Sequence, residues 1–513
     1  MKYDDAAQDR TLASGHETRE DSVADETPIE TELAPIHEEA EASPEEVKLD
    51  VVPEATKHLG VAETVAHLRE GARERIAVTR KFRAAQLKAF ERMMSRHESD
   101  FVTALAQDLG KSAVEARLTE LSMVRNEVKL AQLYLTEWMG AQHQRMPIAF
   151  QPAVAKVEPQ PLGLVLIVGP WNYPVNNLLI PLVSAIAAGN CAVIKPSENA
   201  PTVSALLERL VPQYLDHRAV AVVTGGADVA AELLEQKWDH IFFTGSERIG
   251  RKVYAAAAQQ LTPVTLELGG KCPVVVVDGN WPAIARRIAF AKFTNAGQTC
   301  VAPDYVLAVG RAADELEKHL PRAIAEFYGK DPSSSKDFGR IVNESHVDRL
   351  AGYLADGDVV VGGTVDRTHR YVAPTILKNV DPASPVMQEE IFGPILPIIR
   401  VANVDEAIDF IGNRSDPLAA YLFSERPRLH AIFEDHVRAG SIGIGVAILQ
   451  TGVTNLPFGG VGNSGTGNYH GKYGFDTFSQ LRPTLAKTTM VDTLKPVYPP
   501  YGWAKSTMVK RAL

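Results

Sequence analysis

Between residues 163 and 268 the chain alternates short β-branched runs with segments of helical period: "GLVLIV", the helix after Pro174, "CAVIK", "TVSALLERLVPQYL", "AVAVVTG", "VAAELLEQ", "HIFFTG", "RIGRKVYAAAAQQ" and "PVTLEL". No other feature restricts the fold as much. Parallel strands cannot be joined by hairpins, so each crossover needs a helix, and strands covered on both faces read as unbroken apolar runs. The expected product is a parallel sheet with helices on both faces. A second alternating series begins near "CPVVVVDG" and runs through "RIAFAKF", "DYVLAVG", a helix around 313–328, "DVVVGG", "YVAPTIL", "PILPIIRV" and "AIDFIGNR". It predicts a second α/β lobe, in keeping with 513 residues, too many for one core.

Ahead of the first series, residues 60–142 have apolar positions recurring at three and four, and they read as a helical opening layer. Residues 146–161, "MPIAFQPAVAKVEPQP", alternate between prolines and read as an exposed ribbon. Residues 162–190 are apolar enough to span a bilayer, but "GPWNYP" breaks the run in its middle, and strand, loop and helix is the expected reading. The formal charge of −10 is uneven: residues 1–56 hold 17 acidic and 4 basic residues, a net of −13, which leaves +3 for the rest. That segment has too little apolar surface to offset its ordering entropy and is expected to be disordered, and it lacks the positive and apolar regions of a signal peptide. The three cysteines, Cys191, Cys272 and Cys300, are odd in number and far apart, which suits neither a disulfide framework nor a zinc site and favours a reducing, cytoplasmic setting.

Parallel sheets carry ligands at the carboxyl ends of their strands, so the loops there are read first. In "GPWNYP", Asn172 is either a turn-stabilising residue or a neutral amide donor for an oxyanion. In "KPSE", Lys195 and Glu198 either open a helix or meet ribose hydroxyls. In "FTGSERIG", Gly245 allows close backbone approach, and Ser246 at a helix start suits a phosphate, although the spacing is not GxGxxG. In "LELGGK", Glu267 ends an apolar strand, where desolvation raises a carboxyl toward general-base values unless solvent reaches it. In "TNAGQTCVAPDYV", Cys300 stands among small and polar residues rather than in an apolar run, and is either an unremarkable loop thiol or a nucleophile.

Taken in order, "GPWNYP", "KPSE", "FTGSERIG", "LELGGK", "GQTCVAPDYV", "EEIFGP" and "PFGGVGNSG" closely resemble the aldehyde dehydrogenase superfamily over roughly residues 60–490, with the acidic segment outside the match. "LTPVTLELGGK", "APDYV" and "GNYHGKYGFDTFS" resemble its class 3 branch, which handles medium and long aliphatic and aromatic aldehydes. The resemblance implies a Rossmann-type cofactor domain (57–145 and 162–267), a second α/β catalytic domain (268–440), a return segment lining the active site (441–481) and a small β dimerisation arm (146–161 and 482–495). It implies Cys300 as nucleophile, Glu267 as base, and Asn172 with the Cys300 backbone N–H as oxyanion hole. Lys195 and Glu198 would then hold the adenine ribose, Ser246 the pyrophosphate, and Glu390 with Phe392 the nicotinamide end, with Trp171 and Gly245 as further cofactor-binding residues. The cofactor is NAD first, since Glu198 would repel a 2′-phosphate, with NADP as the second possibility; no metal is implied. The implied reaction is oxidation of an aldehyde to a carboxylic acid through a cysteine thioester, in a homodimer. Transfer to CoA is the enzymatic alternative, opposed by the glutamate in "LELGG". An inactive binding homologue or a redox-sensing thiol protein is opposed by the joint presence of Cys300, Glu267 and Asn172.

Overall fold

The computed structural model describes residues 60–147 and 150–512. The segment 1–56, expected to be disordered, lies outside the described residues. The opening layer is helical: Val61–Arg73, Arg80–Arg96, Glu98–Leu109 and Ser122–Trp138 are its long members. Thr79 caps the second by accepting from the Phe82 N–H at 3.2 Å, and Gly110, at φ 66°, ends the third in the left-handed conformation that glycine adopts without strain.

The first sheet has six strands in the order Gly465–Thr466, Val264–Glu267, His240–Thr244, Leu164–Val168, Cys191–Lys195 and Val220–Val222. All neighbours are parallel except the first pair. The three central strands are almost wholly buried, which is why their sequences are near-continuous apolar runs. The apolar stretch 162–190 resolves into the strand Leu164–Val168, the "GPWNYP" turn and the helix Asn176–Ala188. No helix among the described residues is long and apolar enough to cross a membrane.

The second sheet has seven strands in the order Asp358–Val361, Thr375–Lys378, Ile395–Val401, Tyr305–Val309, Pro273–Val276, Ala419–Phe423 and Ser441–Ile444. Only Asp358–Val361 runs antiparallel to its neighbour. Each large sheet has its own buried core, and Phe458 packs against both. Residues 268–272 carry the chain directly from one sheet to the other. The return crossing ends in Gly465–Thr466, which pairs with Leu266 and Glu267 and covers the edge where Glu267 stands.

The third sheet is a small antiparallel arm of Gln142–Gln144, Ala153–Pro161 and Ser479–Lys487. Its last strand starts at Ser479, three residues before the expected 482, and passes through Pro483. Proline is accepted there because this is an edge strand, where a missing N–H need not break a ladder bond.

Candidate active site

The carboxyl ends of the first sheet face the loop that precedes Tyr305–Val309 in the second. Asn172 is 3% exposed, and its side-chain amide donates to the Gln298 carbonyl at 3.0 Å. The Tyr173 hydroxyl meets Thr299 Oγ1 at 2.7 Å. These contacts bring Asn172 beside the Cys300 loop across 128 residues of sequence. The loop is held in an unusual shape, since Asn295, Ala296 and Gly297 all have left-handed backbone, at φ 54°, 51° and 76°. For the two residues with a Cβ this costs of order 1–3 kcal/mol each and persists only where the surroundings dictate it. Here the Asn295 N–H donates to Glu115 Oε1 at 2.9 Å, and its amide donates to the carbonyls of Asn172 and Gln298. A Cβ on Gly297 would overlap the Gly393 carbonyl.

Cys300 is partly exposed at the end of this loop, whereas Cys191 and Cys272 are buried. Burial pushes the Cys300 thiol up to about 12, and the charges of Glu390 and Glu267 add to it. The thiol therefore holds its proton at neutral pH and needs a base to become a nucleophile. Glu267 is 1% exposed, and neither carboxyl oxygen has a hydrogen-bond partner among the described residues. Its burial raises the carboxyl well above the usual range. A buried polar group left unpaired is costly, which makes Glu267 a candidate functional group.

The remaining predicted residues line the same strand ends. Lys195 Nζ donates to Glu198 Oε2 at 2.8 Å, the lysine buried and the glutamate exposed. Burial alone would raise Glu198, but the Lys195 bond holds it below the usual range. Ser246 is exposed at the N-terminus of the helix Glu247–Gln259, and its hydroxyl makes no capping bond. At Gly245 a Cβ would stand 2.6 Å from the Phe243 ring. Trp171 and Phe392 meet edge to face, with centroids 5.3 Å apart. The Glu390 carboxyl lies against Gly269, where a Cβ would overlap it, and burial followed by the Asp304 charge pushes it up to about 8. Lys195, Glu198 and Ser246 share no hydrogen bond with Asn172, Glu267 or Cys300 among the described residues.

A pocket of about 310 Å³ opens onto Cys300. Its walls include Met123, Phe290, Ile448 and Phe458, with neutral polar groups from Thr119, Ser122 and Asn126. Among the described residues no Asp, Glu, Lys or Arg lines it. Its one histidine, His470, is pushed down to about 4 by burial and is uncharged at neutral pH.

Residues 39–483 match the model of the aldehyde dehydrogenase family. The chain belongs to that family. Among its relatives, aldehyde dehydrogenase family 3 member B2 of Mus musculus is 45% identical over 452 residues, covering 88% of this chain and 94% of the relative. The substrate-bound Staphylococcus aureus AldH structure is 40% identical with a TM-score of 0.86, covering 88% of this chain and 99% of that one. The NAD+ complex of a Mycobacterium tuberculosis aldehyde dehydrogenase is 25% identical with a TM-score of 0.75, covering 84% and 92%. The family match starts at residue 39, so the end of the acidic segment falls inside it, contrary to the expectation that all of that segment lies outside.

In this aldehyde dehydrogenase two further ion pairs, which the sequence motifs do not single out, hold the same loops. Lys271, at the end of "LELGGK", pairs with Asp304 and donates to the carbonyls of Val386 (2.9 Å) and Glu389 (2.8 Å). Asp304 also accepts from the Ile391 N–H at 2.9 Å, so the pair clamps the loop that carries Glu390 and Phe392. Lys111 and Glu120 form a fully buried ion pair behind Asn172. The first pair lies within the "LELGGK" and "GQTCVAPDYV" motifs, whereas the second has no local sequence pattern.

Proposed function

We propose that this enzyme oxidises uncharged aldehydes with an extended aliphatic or aromatic body to carboxylic acids, with Cys300 as nucleophile, Glu267 as base, and the Asn172 amide with the Cys300 backbone N–H as oxyanion hole. The observation that carries this reading is a partly exposed thiol at a pocket without charged side chains, flanked by an unpaired buried carboxyl and a rigidly held amide. In its ionised form Glu267 takes the Cys300 proton and passes it to solvent, and the freed sulfur adds to the aldehyde carbon. The oxygen that becomes negative is met by Asn172, a donor of the kind worth roughly 2.7–4 kcal/mol in transition-state stabilisation. Loss of hydride from that carbon leaves a thioester on Cys300. Glu267 then takes a proton from water, the water oxygen attacks the thioester, and the acid leaves as the thiol is restored.

The cofactor is NAD, which when bound supplies the acceptor for that hydride. The residues present fit it: the uncommitted Ser246 hydroxyl and helix N-terminus suit a pyrophosphate, Gly245 leaves room for it, and the Lys195–Glu198 pair suits ribose hydroxyls. Glu198, held ionised, disfavours a 2′-phosphate, so NADP is the weaker cofactor. Trp171, Glu390 and Phe392 frame the nicotinamide end. Residues 57–145 with 162–267 serve as the cofactor domain, 268–440 as the catalytic domain, 441–481 as the return segment, and 146–161 with 482–495 as the oligomerisation arm. Leu481 and Leu485, four apart on one face of the arm and each 57% exposed, support a homodimer. Free Cys191, Cys272 and Cys300 support a reducing cytoplasm. The test is NADH formation against straight-chain aldehydes of rising length, benzaldehyde and succinic semialdehyde, repeated with NADP. Neutral aldehydes should be turned over and the charged one should not; preference for the charged one overturns the substrate assignment.

A further inference from the structure

The pair Lys111–Glu120 lies outside the pocket and the cofactor residues, yet its bonds converge on one short segment. Gly110 ends the helix Glu98–Leu109 with a left-handed turn, and the chain enters the interior at Lys111. Six residues later, Arg117–Leu121 forms a π-helical turn between Ala113–Ala116 and Ser122–Trp138. The wider turn shifts the helical phase: Glu120 faces the interior while Leu118, Thr119, Ser122 and Met123 face the pocket. Such turns concentrate at functional sites.

Lys111 Nζ donates to Glu120 Oε1 at 2.6 Å and to the Asn172 carbonyl at 3.0 Å, and stands 3.9 Å from the centre of the Tyr173 ring. The other Glu120 oxygen accepts from the N–H groups of Val175 (3.2 Å) and Asn176 (2.8 Å). Asn176 returns a bond to the Thr119 carbonyl at 3.0 Å. Residues 172, 173, 175 and 176 are thereby fastened to a pair that is itself 0% exposed on both sides. Ion pairs buried this deeply seldom add net stability over apolar replacements, so stability alone is a poor account of this one. It does restrict geometry. The Asn172 amide has two N–H donors, of which one is committed to Gln298, and an oxyanion donor misplaced by about 1 Å costs of order 100-fold in rate.

We propose that Lys111 and Glu120 are positioning residues, an internal brace that sets Asn172 against the Cys300 loop, with the π-helical turn linking that brace to the pocket wall. The proposal rests on Asn172 being the oxyanion donor. The test compares the full-length enzyme with Lys111→Met/Glu120→Gln, Asn172→Ala and the triple variant, using the pre-steady-state NADH burst with saturating hexanal and NAD, together with thermal midpoints and KM for NAD. The double variant removes both charges at nearly constant volume. It should fold with KM for NAD within about twofold of the parent, and its burst should slow roughly 10- to 100-fold. The triple variant should be no slower than Asn172→Ala, because the brace acts through that side chain. Glu120→Gln alone, which keeps volume and an acceptor oxygen, should show a smaller loss of the same kind and serves if the double variant does not fold. A parental burst in the double variant, or in a folded Glu120→Gln, with Asn172→Ala impaired overturns the brace, as does a further loss in the triple variant. A parental burst in Asn172→Ala instead removes the oxyanion role, and the brace falls with it.

Discussion

Replacing Glu390 with glutamine should stabilise the enzyme at alkaline pH while impairing turnover. Burial, followed by the Asp304 charge, lifts this carboxyl from its ordinary 4.5 to about 8, against the opposing effects of the Gly270 N–H, Lys271 and Lys292. Between those two values the folded protein holds a proton that the unfolded chain has lost. Stability linked to this group is therefore fully present below about pH 4.5, declines as pH rises, and is gone above about pH 8. At 1.36 kcal/mol per pH unit the whole interval amounts to about 5 kcal/mol, and screening at a partly exposed side chain reduces this to about 2 kcal/mol. Glutamine cannot ionise, so Glu390→Gln should lack this component. Urea denaturation of both proteins at pH 5 and pH 9 measures it: the stability difference, variant minus parent, should be about 2 kcal/mol larger at pH 9. The same variant should lose turnover, because Glu390 lies at the nicotinamide end beside Gly269. An unchanged difference between the two pH values would refute the burial argument, and unchanged kinetics would remove Glu390 from the cofactor site.

Three further outcomes follow from the geometry. Cys300→Ala should abolish aldehyde oxidation while NAD still protects the protein against thermal unfolding; appreciable NADH formation by the variant removes the thiol from the reaction. Glu267→Gln should accumulate an acyl-enzyme, visible by intact mass after mixing with aldehyde and NAD, with steady-state turnover reduced roughly 10²- to 10⁴-fold; turnover at the parental rate assigns the base elsewhere. Leu481→Glu/Leu485→Glu places two charges on the arm and should convert a dimer to monomer in analytical ultracentrifugation without lowering the thermal midpoint of the cores, whereas a persisting dimer relocates the interface.

Much of the architecture was legible because strand burial writes itself into composition. Leu164–Val168, and Cys191–Lys195 up to its terminal lysine, are apolar on every position, and only a sheet covered on both faces asks for that. Loops at the ends of such strands were legible for a related reason, since "GPWNYP" and "LELGGK" set polar or glycine residues against apolar strands. The arm was less so: Pro483 reads as a break, and its acceptance depends on which side of the strand has no neighbour.

The sequence by itself determined two parallel α/β lobes, the order of the loops at their strand ends, and the residue types in them: a thiol, an amide and a carboxyl suited to one reaction. Only the tertiary structure decided how those groups behave. Glu267 could have been a solvated strand end until Gly465–Thr466 closed over it, leaving both oxygens without a hydrogen-bond partner among the described residues. Asn172 could have served its own turn until Lys111, Glu120 and Asn295 held it against Gln298. Proton affinity and donor direction depend on what lies within a few ångströms, and those neighbours come from segments tens to hundreds of residues away. Residue identity is local; desolvation and orientation are not.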